Sequence, residues 1–322
     1  MNFFRHQEDA RRNTAWLITL FTIAVGGVIL VVNLMFIAFI AAGFSNTAEG
    51  VPNDPLNAYT LEHWLVVSGT TLSVILICSF FRQLSLRHGK DVANALGATL
   101  LDPGTPDLDE KRILNVVEEM ALASGMPVPD VYVMEDSGIN AFAAGYQPSD
   151  AVIGITRGAL EALNRDQLQG VIAHEFSHIF NGDMRMNMRL TGIIYGITFI
   201  AEIGYLLLHS TTRRSSSSSR ENPAAALFFL GLGLVIVGSV GTFFGKLIKA
   251  GVSRQREFLA DASAVQFTRN PSGISDALKI IGYGAGSHIS ASAAHEMSHF
   301  FFGSISRFKP SSFSMMFATH PP

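Results

Sequence analysis

Two short segments of this 322-residue chain spell His-Glu-x-x-His, a pattern that lets one helix hold a metal ion and a catalytic carboxylate. The first copy runs from His174 to His178, and the second runs from His295 to His299. Residues four apart share a face of a helix, so the two histidines of a copy can bind one zinc ion. The glutamate between them can take a proton from a zinc-activated water and pass it to a leaving amine. The pattern predicts a zinc-dependent hydrolase with Zn²⁺, one ion per chain, as its cofactor.

A third ligand is needed before either copy becomes a catalytic site, because such sites usually have three protein ligands. After His178, the position with metzincin spacing is Met184, which excludes that class. Glu257 can supply a carboxylate from a later helix instead. Asp261 follows one turn further along the same face, where it can accept the second ring N–H of a ligand histidine. The first copy therefore has the partners that a catalytic zinc site needs.

The second copy lacks such partners. No Asp or Glu follows His299 before the chain reaches Pro322, and His320 is the only further candidate ligand there. A stretch rich in Gly, Ala and Ser, residues 282–294, precedes His295 and is a poor support for a rigid metal site. We predict that the histidines of the second copy pack or line the cleft and do not hold the catalytic zinc.

Four long apolar runs indicate a membrane protein. Hydrophobic residues make up 48% of the sequence, and its mean hydropathy is +0.31. A helix needs roughly 20 apolar residues to cross a bilayer, and such runs occupy residues 15–44, 64–81, 190–208 and 224–244. They predict four transmembrane helices, the first an uncleaved anchor that is too long for a signal peptide. Glu202 in the third run is either a functional intramembrane acid or a residue that reaches the interface.

The distribution of positive charge predicts how these helices are oriented. Lys and Arg flank the N-terminal and middle segments, whereas residues 45–63 contain none. The positive-inside rule then places both termini and the middle segment in the cytoplasm, at the inner membrane of a bacterial cell. Three arginines oppose this orientation, because they lie in a loop that it places outside: Arg213, Arg214 and Arg220.

Charge and cysteine content exclude other classes of partner and site. The net charge is −3 and no basic block occurs, which argues against a nucleic-acid partner. The single cysteine, Cys78, lies inside the second apolar run, so neither a disulfide framework nor a cysteine metal site is expected.

The soluble segments show mixed helix and strand signals. Asp107 and Gly125 can begin and end a helix with one apolar face. Three short apolar runs at 131–136, 140–146 and 151–156 predict a small antiparallel sheet. Asn164 can cap the helix that carries the first motif. Glu257 belongs to a long helix that ends before Pro271.

These signals predict four segments. Residues 1–90 form an N-terminal tail and two transmembrane helices, and residues 91–189 form the first part of a catalytic domain with the first motif. Residues 190–245 form a transmembrane hairpin with a Ser-rich loop, and residues 246–322 complete the catalytic domain with the third zinc ligand.

Four segments together resemble the HtpX-like membrane zinc metallopeptidases, gluzincins related to the CAAX prenyl proteases. They read LNRDQLQGVIAHEFSHIFNGD, SRQREFLADASAVQFTRNP, INAFAAG and a terminal THPP. The resemblance covers about residues 107–322. It implies a mostly helical α+β fold, with a zincin-like catalytic domain and a small antiparallel sheet fused to about four transmembrane helices.

The resemblance also implies roles for individual residues. The zinc ligands would be His174, His178 and Glu257, with Glu175 as general base and acid and Asp261 as partner of a ligand histidine. Asn140, Ala141 and Phe142 would lie on an edge strand that lines the cleft and holds the substrate backbone. His320 would be catalytic, helping to stabilise the developing oxyanion.

The function expected on these grounds is an integral membrane zinc endopeptidase that hydrolyses membrane or misfolded proteins. Its partners would be polypeptide substrates and the lipid bilayer, and no nucleic acid. A narrow processing protease, acting on one membrane substrate or on prenylated tails, is a close alternative. A catalytically inactive membrane scaffold or a small transporter is an alternative of another class.

Overall fold

The computed structural model describes residues 3–44, 59–212, 223–283, 287–291, 297 and 300–302. The chain forms two compact units, each built from two separate stretches. The membrane unit comprises Met1–Arg82 and Gly192–Ile248, and the site unit comprises Gln83–Thr191 and Lys249–Pro322.

In chain order the described elements alternate long apolar helices with a short mixed region of strands and helices. They are α1 (Phe3–Phe44), α2 (Leu61–Ser85), α3 (Gly89–Ala95), β1 (Thr99–Leu100), α4 (Leu108–Ser124), β2 (Asp130–Met134), β3 (Ala141–Ala144), a 3₁₀ turn (Pro148–Asp150), β4 (Val152–Thr156), α5 (Arg157–Ala162), α6 (Arg165–Asn181), α7 (Asp183–Thr212), α8 (Pro223–Thr268) and α9 (Pro271–Tyr283). The predicted fold class, mostly helical α+β with a small sheet, is confirmed.

Four helical stretches among the described residues are long and apolar enough to span a membrane. They are Thr19–Ala38, Leu61–Ser85, Asp183–Ser210 and Leu227–Gly245, with mean hydropathies from 1.7 to 2.6. Each overlaps one of the four runs predicted from the sequence. The chain is therefore a multi-pass membrane protein.

The helices of the membrane unit pack through branched side chains, and the buried polar residue Asn33 links two segments of this unit. Val28, Ile75 and Ile197 are among the buried residues of the main cluster. Asn33 is fully buried, and its amide donates to the Ser68 hydroxyl at 3.0 Å and accepts from the Tyr59 hydroxyl at 2.8 Å. Large apolar side chains remain exposed on the outer faces of these helices, as a lipid solvent requires.

A four-stranded mixed sheet, in the order β1-β2-β4-β3, supports the site unit. β4 is parallel to β2 and antiparallel to β3, and β1 is antiparallel to β2. The predicted antiparallel arrangement is wrong for the β2–β4 pair. Residues 135–140 connect β2 to β3 and are long enough to span two strand spacings, about 10 Å. This leaves room between β2 and β3, and β4 occupies that position. Strand order follows from this non-local pairing, which the local sequence pattern does not encode.

Both ends of α6 are fixed by the groups that the sequence places there. The Asn164 side chain accepts from the N–H of Gln167 at 3.0 Å, and the Gln167 side chain accepts from the N–H of Asn164 at 2.9 Å. This reciprocal cap confirms the predicted start of the helix. Gly182, with φ of 72°, adopts the left-handed conformation that ends the helix. Asp183 starts α7 at the next residue, so the chain changes direction immediately after the first motif.

The apolar face of α6 lies in the main core of the site unit. Leu168, Ile172 and Phe176 are fully buried there, and α6 contacts α4, α9 and β3. Gly170 faces α9 so closely that a Cβ atom at this position would lie 2.5 Å from the Ile274 nitrogen. The helix that carries the first motif is therefore held from several sides.

Glu257 lies on a helix longer than the sequence pattern predicts. The fourth apolar run and the segment after it form one continuous helix, α8, of 46 residues. No proline interrupts the chain between them, and the glycines there weaken a helix without ending it. The expected stop at Asn270 and Pro271 is confirmed, since α8 ends at Thr268 and α9 begins at Pro271.

Candidate metal centre

The first motif presents its two histidines from one buried face of α6. His174 is 0% exposed, and the side chain of His178 is 16% exposed. Their Nε2 atoms are 3.2 Å apart. This separation agrees with two imidazoles bound to one tetrahedral ion, for which metal–nitrogen bonds of 2.0–2.1 Å give about 3.3 Å.

Glu257 brings a third ligand atom to the same point from α8. Its Oε2 lies 3.2 Å from Nε2 of His174 and 4.0 Å from Nε2 of His178. One ligand atom from each of the three residues lies within 4.8 Å of the others. Two imidazoles and one carboxylate form a donor set that suits zinc and leaves a coordination position for water. The cluster fits the expected ion.

Asp261 contacts the first of these histidines. Its Oδ1 lies 2.9 Å from Nδ1 of His174, and it lies one turn after Glu257 on α8. If Nδ1 carries the proton and donates it to Asp261, Nε2 keeps its lone pair for a metal ion. The structure brings together these residues as the sequence predicts.

The structure adds two residues that sequence reasoning missed. Oδ2 of Asp183 lies 3.0 Å from Nδ1 of His178, and its other oxygen forms an ion pair with Arg256. Each histidine of the motif therefore has its own carboxylate. The available signal was Gly182, whose position after the helix predicts a reversal that returns the next residue towards His178.

Burial and neighbouring carboxylates act in opposite directions on the pKa of each histidine, and the net shift is upward. Burial lowers the pKa of His174, but its bonds to Asp261 and Glu257 outweigh burial and raise the pKa to about 10. Burial also lowers the pKa of His178, but the bond to Asp183 and the charges of Glu257 and Glu175 together raise it above its ordinary value. The protein's own groups thus attract positive charge to this point, as a cation site requires.

Glu175 is buried beside these ligands, and the protein offsets only part of the cost of its charge. It is 1% exposed, and neither of its carboxylate oxygens has a hydrogen-bond partner among the described residues. Burial raises the pKa of Glu175, while the charges of His178 and His174 lower it in part. An unpartnered buried carboxylate is costly in a structural role, and it suits a group that exchanges protons with a water.

A cavity opens on the cluster, and its wall is polar on the side of the cluster and apolar elsewhere. Ala143 from β3, Met186 and Leu190 from α7, and Phe300–Phe302 line it together with the metal-binding cluster and Glu175. The ring of Phe302 stands edge-on to His174, with centroids 5.0 Å apart. The cavity therefore offers an apolar environment next to the polar cluster.

The three residues expected to bind substrate lie next to this cavity wall and are buried. Asn140 is 1% exposed, while Ala141 and Phe142 are 0% exposed. The Asn140 side chain donates to the Ser287 carbonyl at 2.9 Å, which links β3 to a later segment. Of the residues in β3, it is Ala143 that lines the cavity. The substrate-binding role of the other three stays a prediction.

The outer edge of β3 is paired with the chain's own segment Phe300–Phe302. Phe142 and Phe301 form an antiparallel bridge, and their rings stack edge-to-face with centroids 5.5 Å apart. The N–H of Phe302 donates to the Ala141 carbonyl at 2.9 Å. A peptide that binds along this edge must therefore replace or adjoin this pairing.

Two predictions lie outside the described residues. They concern the catalytic role of His320 and the histidines of the second motif, His295 and His299. Within the second motif only Met297 is described, and it is fully buried.

Comparison with known proteins identifies a family of peptidases. The model of Peptidase family M48 matches residues 107–322. A Protease HtpX homolog of Streptococcus uberis is 35% identical over 214 residues, which cover 65% of this chain and 68% of that protein. A Protease HtpX homolog of Streptococcus pyogenes serotype M28 is 40% identical over 212 residues, with the same shares of 65% and 68%.

Two further proteins are similar to this chain at lower sequence identity. A Protease HtpX homolog of Bacteroides fragilis is 33% identical over 218 residues, covering 66% of each chain. Among solved structures, the crystal structure of S. mikatae Ste24p matches with a TM-score of 0.42 and 16% identity, covering 89% of this chain and 59% of that one. The family matches confirm the resemblance drawn from the motifs.

Proposed function

Because the chain belongs to peptidase family M48, we propose that it is a membrane zinc endopeptidase that hydrolyses membrane or misfolded proteins. His174, His178 and Glu257 bind the zinc ion. The observation that supports this proposal is the convergence of their three ligand atoms beside Glu175, a buried carboxylate whose oxygens have no partner among the described residues.

In this proposal the protein's own groups orient the ligands and move one proton. Zinc, when bound, supplies a Lewis acid that activates water and polarises the carbonyl of the scissile bond. Glu175 accepts a proton from the water and then donates it to the amine nitrogen as the C–N bond breaks. Burial raises the pKa of Glu175, which makes its carboxylate a stronger proton acceptor than an exposed glutamate. By the family resemblance, His320 helps to stabilise the oxyanion.

The proposed substrate is an extended segment of an unfolded or membrane protein. It pairs with the outer edge of β3, and its main-chain groups replace the bond between Phe302 and Ala141. Asn140 supports this edge through its bond to Ser287. The aromatic and aliphatic wall of the cavity suits the apolar side chains that such substrates expose. We place the protein in the inner membrane with the site towards the cytoplasm, on the distribution of Lys and Arg.

The decisive experiment replaces Glu175 by Gln in the full-length protein, purified in detergent. The substitution keeps the shape and removes the proton acceptor, so we expect zinc content to remain at one ion per chain. Cleavage of an unfolded membrane protein should fall by about 10²- to 10⁴-fold. Glu161→Gln is the matched control, since Glu161 is exposed on α5, and it should leave cleavage unchanged.

Two further outcomes separate this proposal from the alternatives. A chelator should abolish cleavage by the wild-type protein, and added zinc should restore it. Undiminished cleavage by Glu175→Gln would exclude Glu175 as the general base. Zinc binding without any cleavage by the wild-type protein, across unfolded and prenylated substrates, would favour the scaffold instead.

A further inference from the structure

Asp183 contacts two residues of the metal centre, and each of its oxygens has a different partner. Oδ2 lies 3.0 Å from Nδ1 of His178, and Oδ1 forms the ion pair with Nη1 of Arg256. The Asp183 side chain is only 6% exposed. A carboxylate at this depth requires a compensating charge, which the guanidinium of Arg256 supplies.

The two histidines of the motif are supported in different ways. Asp261, the partner of His174, has a side chain that is 34% exposed, so water stabilises much of its charge. Asp183, the partner of His178, is shielded from water and depends on a protein cation. The arginine in the second pair is consistent with this difference, because Asp183 has less water to stabilise its charge than Asp261 has.

Arg256 also connects this pair to the third ligand. It immediately precedes Glu257 on α8, so its side chain leaves the helix one residue before the metal-binding carboxylate. Its ion pair with Asp183 joins this turn of α8 to the first residue of α7. Because Asp183 itself contacts His178, the distance between the second and third ligands is fixed through two polar contacts.

We propose that Asp183 and Arg256 form a clamp that positions two of the three metal ligands, His178 directly and Glu257 through α8. The clamp rests on the proposed function, since it acts on a metal ion at this cluster. Asp183 accepts the Nδ1 proton of His178, which leaves Nε2 as the nitrogen with a free lone pair. Arg256 keeps the carboxylate in the orientation that this bond needs. We assign both as positioning residues, because their polar contacts are with a metal ligand and with each other.

The test measures metal affinity in the full-length protein in detergent, by competition between the protein and a chelator for Zn²⁺. Asp183→Asn keeps an oxygen acceptor and loses the charge, so we expect zinc to bind about 10- to 100-fold more weakly, the usual effect of losing such a partner. Asp183→Ala loses both the oxygen acceptor and the charge, so it should bind zinc more weakly than Asp183→Asn does. Asp276→Asn is the matched control, because Asp276 is an exposed acid paired with Lys279 in the same unit, and it should bind zinc as the wild type does.

The role of Arg256 is tested by a rescue and by a double substitution. Arg256→Met should weaken zinc binding, whereas Arg256→Lys should restore most of the affinity because it returns the positive charge. Since Arg256 acts through Asp183, the double variant with Asp183→Asn and Arg256→Met should be no weaker than Asp183→Asn alone. The clamp would be contradicted if the double variant lost zinc affinity by the sum of the losses in the two single variants.

Two measurements distinguish a residue that positions a metal ligand from one that only stabilises the fold. The visible absorption bands of the Co²⁺-substituted protein should shift in Asp183→Asn, because the bands report on ligand geometry. Thermal unfolding of the chelated protein checks folding, and if Asp183→Ala does not fold, Asp183→Asn and Arg256→Lys still decide the question.

The outcome for His178→Ala separates this inference from the proposed function. If His178→Ala binds zinc as tightly as the wild type, the proposed metal centre itself is wrong. If His178→Ala loses zinc while Asp183→Asn has wild-type affinity and unchanged Co²⁺ bands, only the clamp is wrong.

Discussion

Each histidine of α6 has one ring nitrogen near the proposed ion and the other near a carboxylate. Nδ1 of His174 meets Asp261 and Nδ1 of His178 meets Asp183. The same carboxylates that orient the rings also favour their protonated forms. A proton and a metal ion therefore compete for the same two side chains, and pH decides between them.

At the residue scale we predict that metal affinity rises steeply with pH. The pKa of His174 is raised to about 10, so at pH 6 to 8 its imidazole is protonated before metal binds, and binding releases that proton. The zinc dissociation constant should therefore fall at least about tenfold per pH unit between pH 6 and 8. Competition with a chelator of known pH dependence measures this slope.

Asp261→Asn tests the cause of this slope. The bond to Asp261 is a principal reason for the raised pKa of His174, so the substitution should flatten the pH dependence while it also weakens binding. A wild-type slope that is flat over the same range would contradict the assignment of His174 as a ligand that must lose a proton.

At the scale of elements, the site depends on helices that approach each other very closely. α6 carries the motif and meets α9 at Gly170, while α8 carries Glu257 and meets the start of α7 through Arg256. Interiors as dense as this cannot absorb added atoms without a shift of the backbone. The ligand distances are therefore a property of how the helices pack.

We predict that Gly170→Ala destabilises the site unit. The new Cβ would lie 2.5 Å from the Ile274 nitrogen and 2.8 Å from the carbonyl carbon of Gly273, both backbone atoms. Overpacking of this kind costs about 1–3 kcal/mol, which should appear as a lower midpoint of thermal unfolding and weaker zinc binding. Gly104→Ala is the control, because its Cβ would meet only an Asp102 side-chain atom at 3.4 Å. Equal stability of the two variants would contradict the close crossing.

At the scale of the whole molecule, the two units differ in the kinds of residue that they bury and expose. The membrane unit buries branched apolar residues and the polar residues Asn33 and Ser79, while its outer faces stay apolar. The site unit buries a conventional core and, beside it, the charged cluster of the metal centre. The ligands of the proposed ion all belong to the site unit.

This division predicts that replacing a buried polar residue of the membrane unit changes the stability of the protein and leaves its metal content unchanged. Asn33→Leu removes the bonds to Ser68 and Tyr59 and should cost about 1 kcal/mol, the usual size of an interhelical hydrogen bond in a membrane. Thermal unfolding in detergent should show the loss, while zinc per chain stays at the wild-type value. Thr71→Val is the control, since the Thr71 hydroxyl donates to the Val67 carbonyl of its own helix at 2.8 Å. Loss of zinc from Asn33→Leu would show that the division is wrong.

The sequence by itself determined the features that arise from short-range periodicity and length. The four apolar runs, the caps of α4 and α6, and the spacing of His174 and His178 are of this kind, because a helix repeats every 3.6 residues whatever surrounds it. The sequence also offered Glu257 as a third ligand, which the family resemblance implied as well, and the three ligand atoms do converge.

Only the tertiary structure decided the features that depend on segments far apart in the chain. These are the parallel pairing of β2 with β4, the occupation of the β3 edge by Phe300–Phe302, and the contacts of Asp183 with His178 and Arg256. Strand order, edge pairing and a buried ion pair depend on which surfaces meet after the chain has folded back. Local periodicity does not predict these contacts, because they depend on packing and on the need to satisfy buried polar groups.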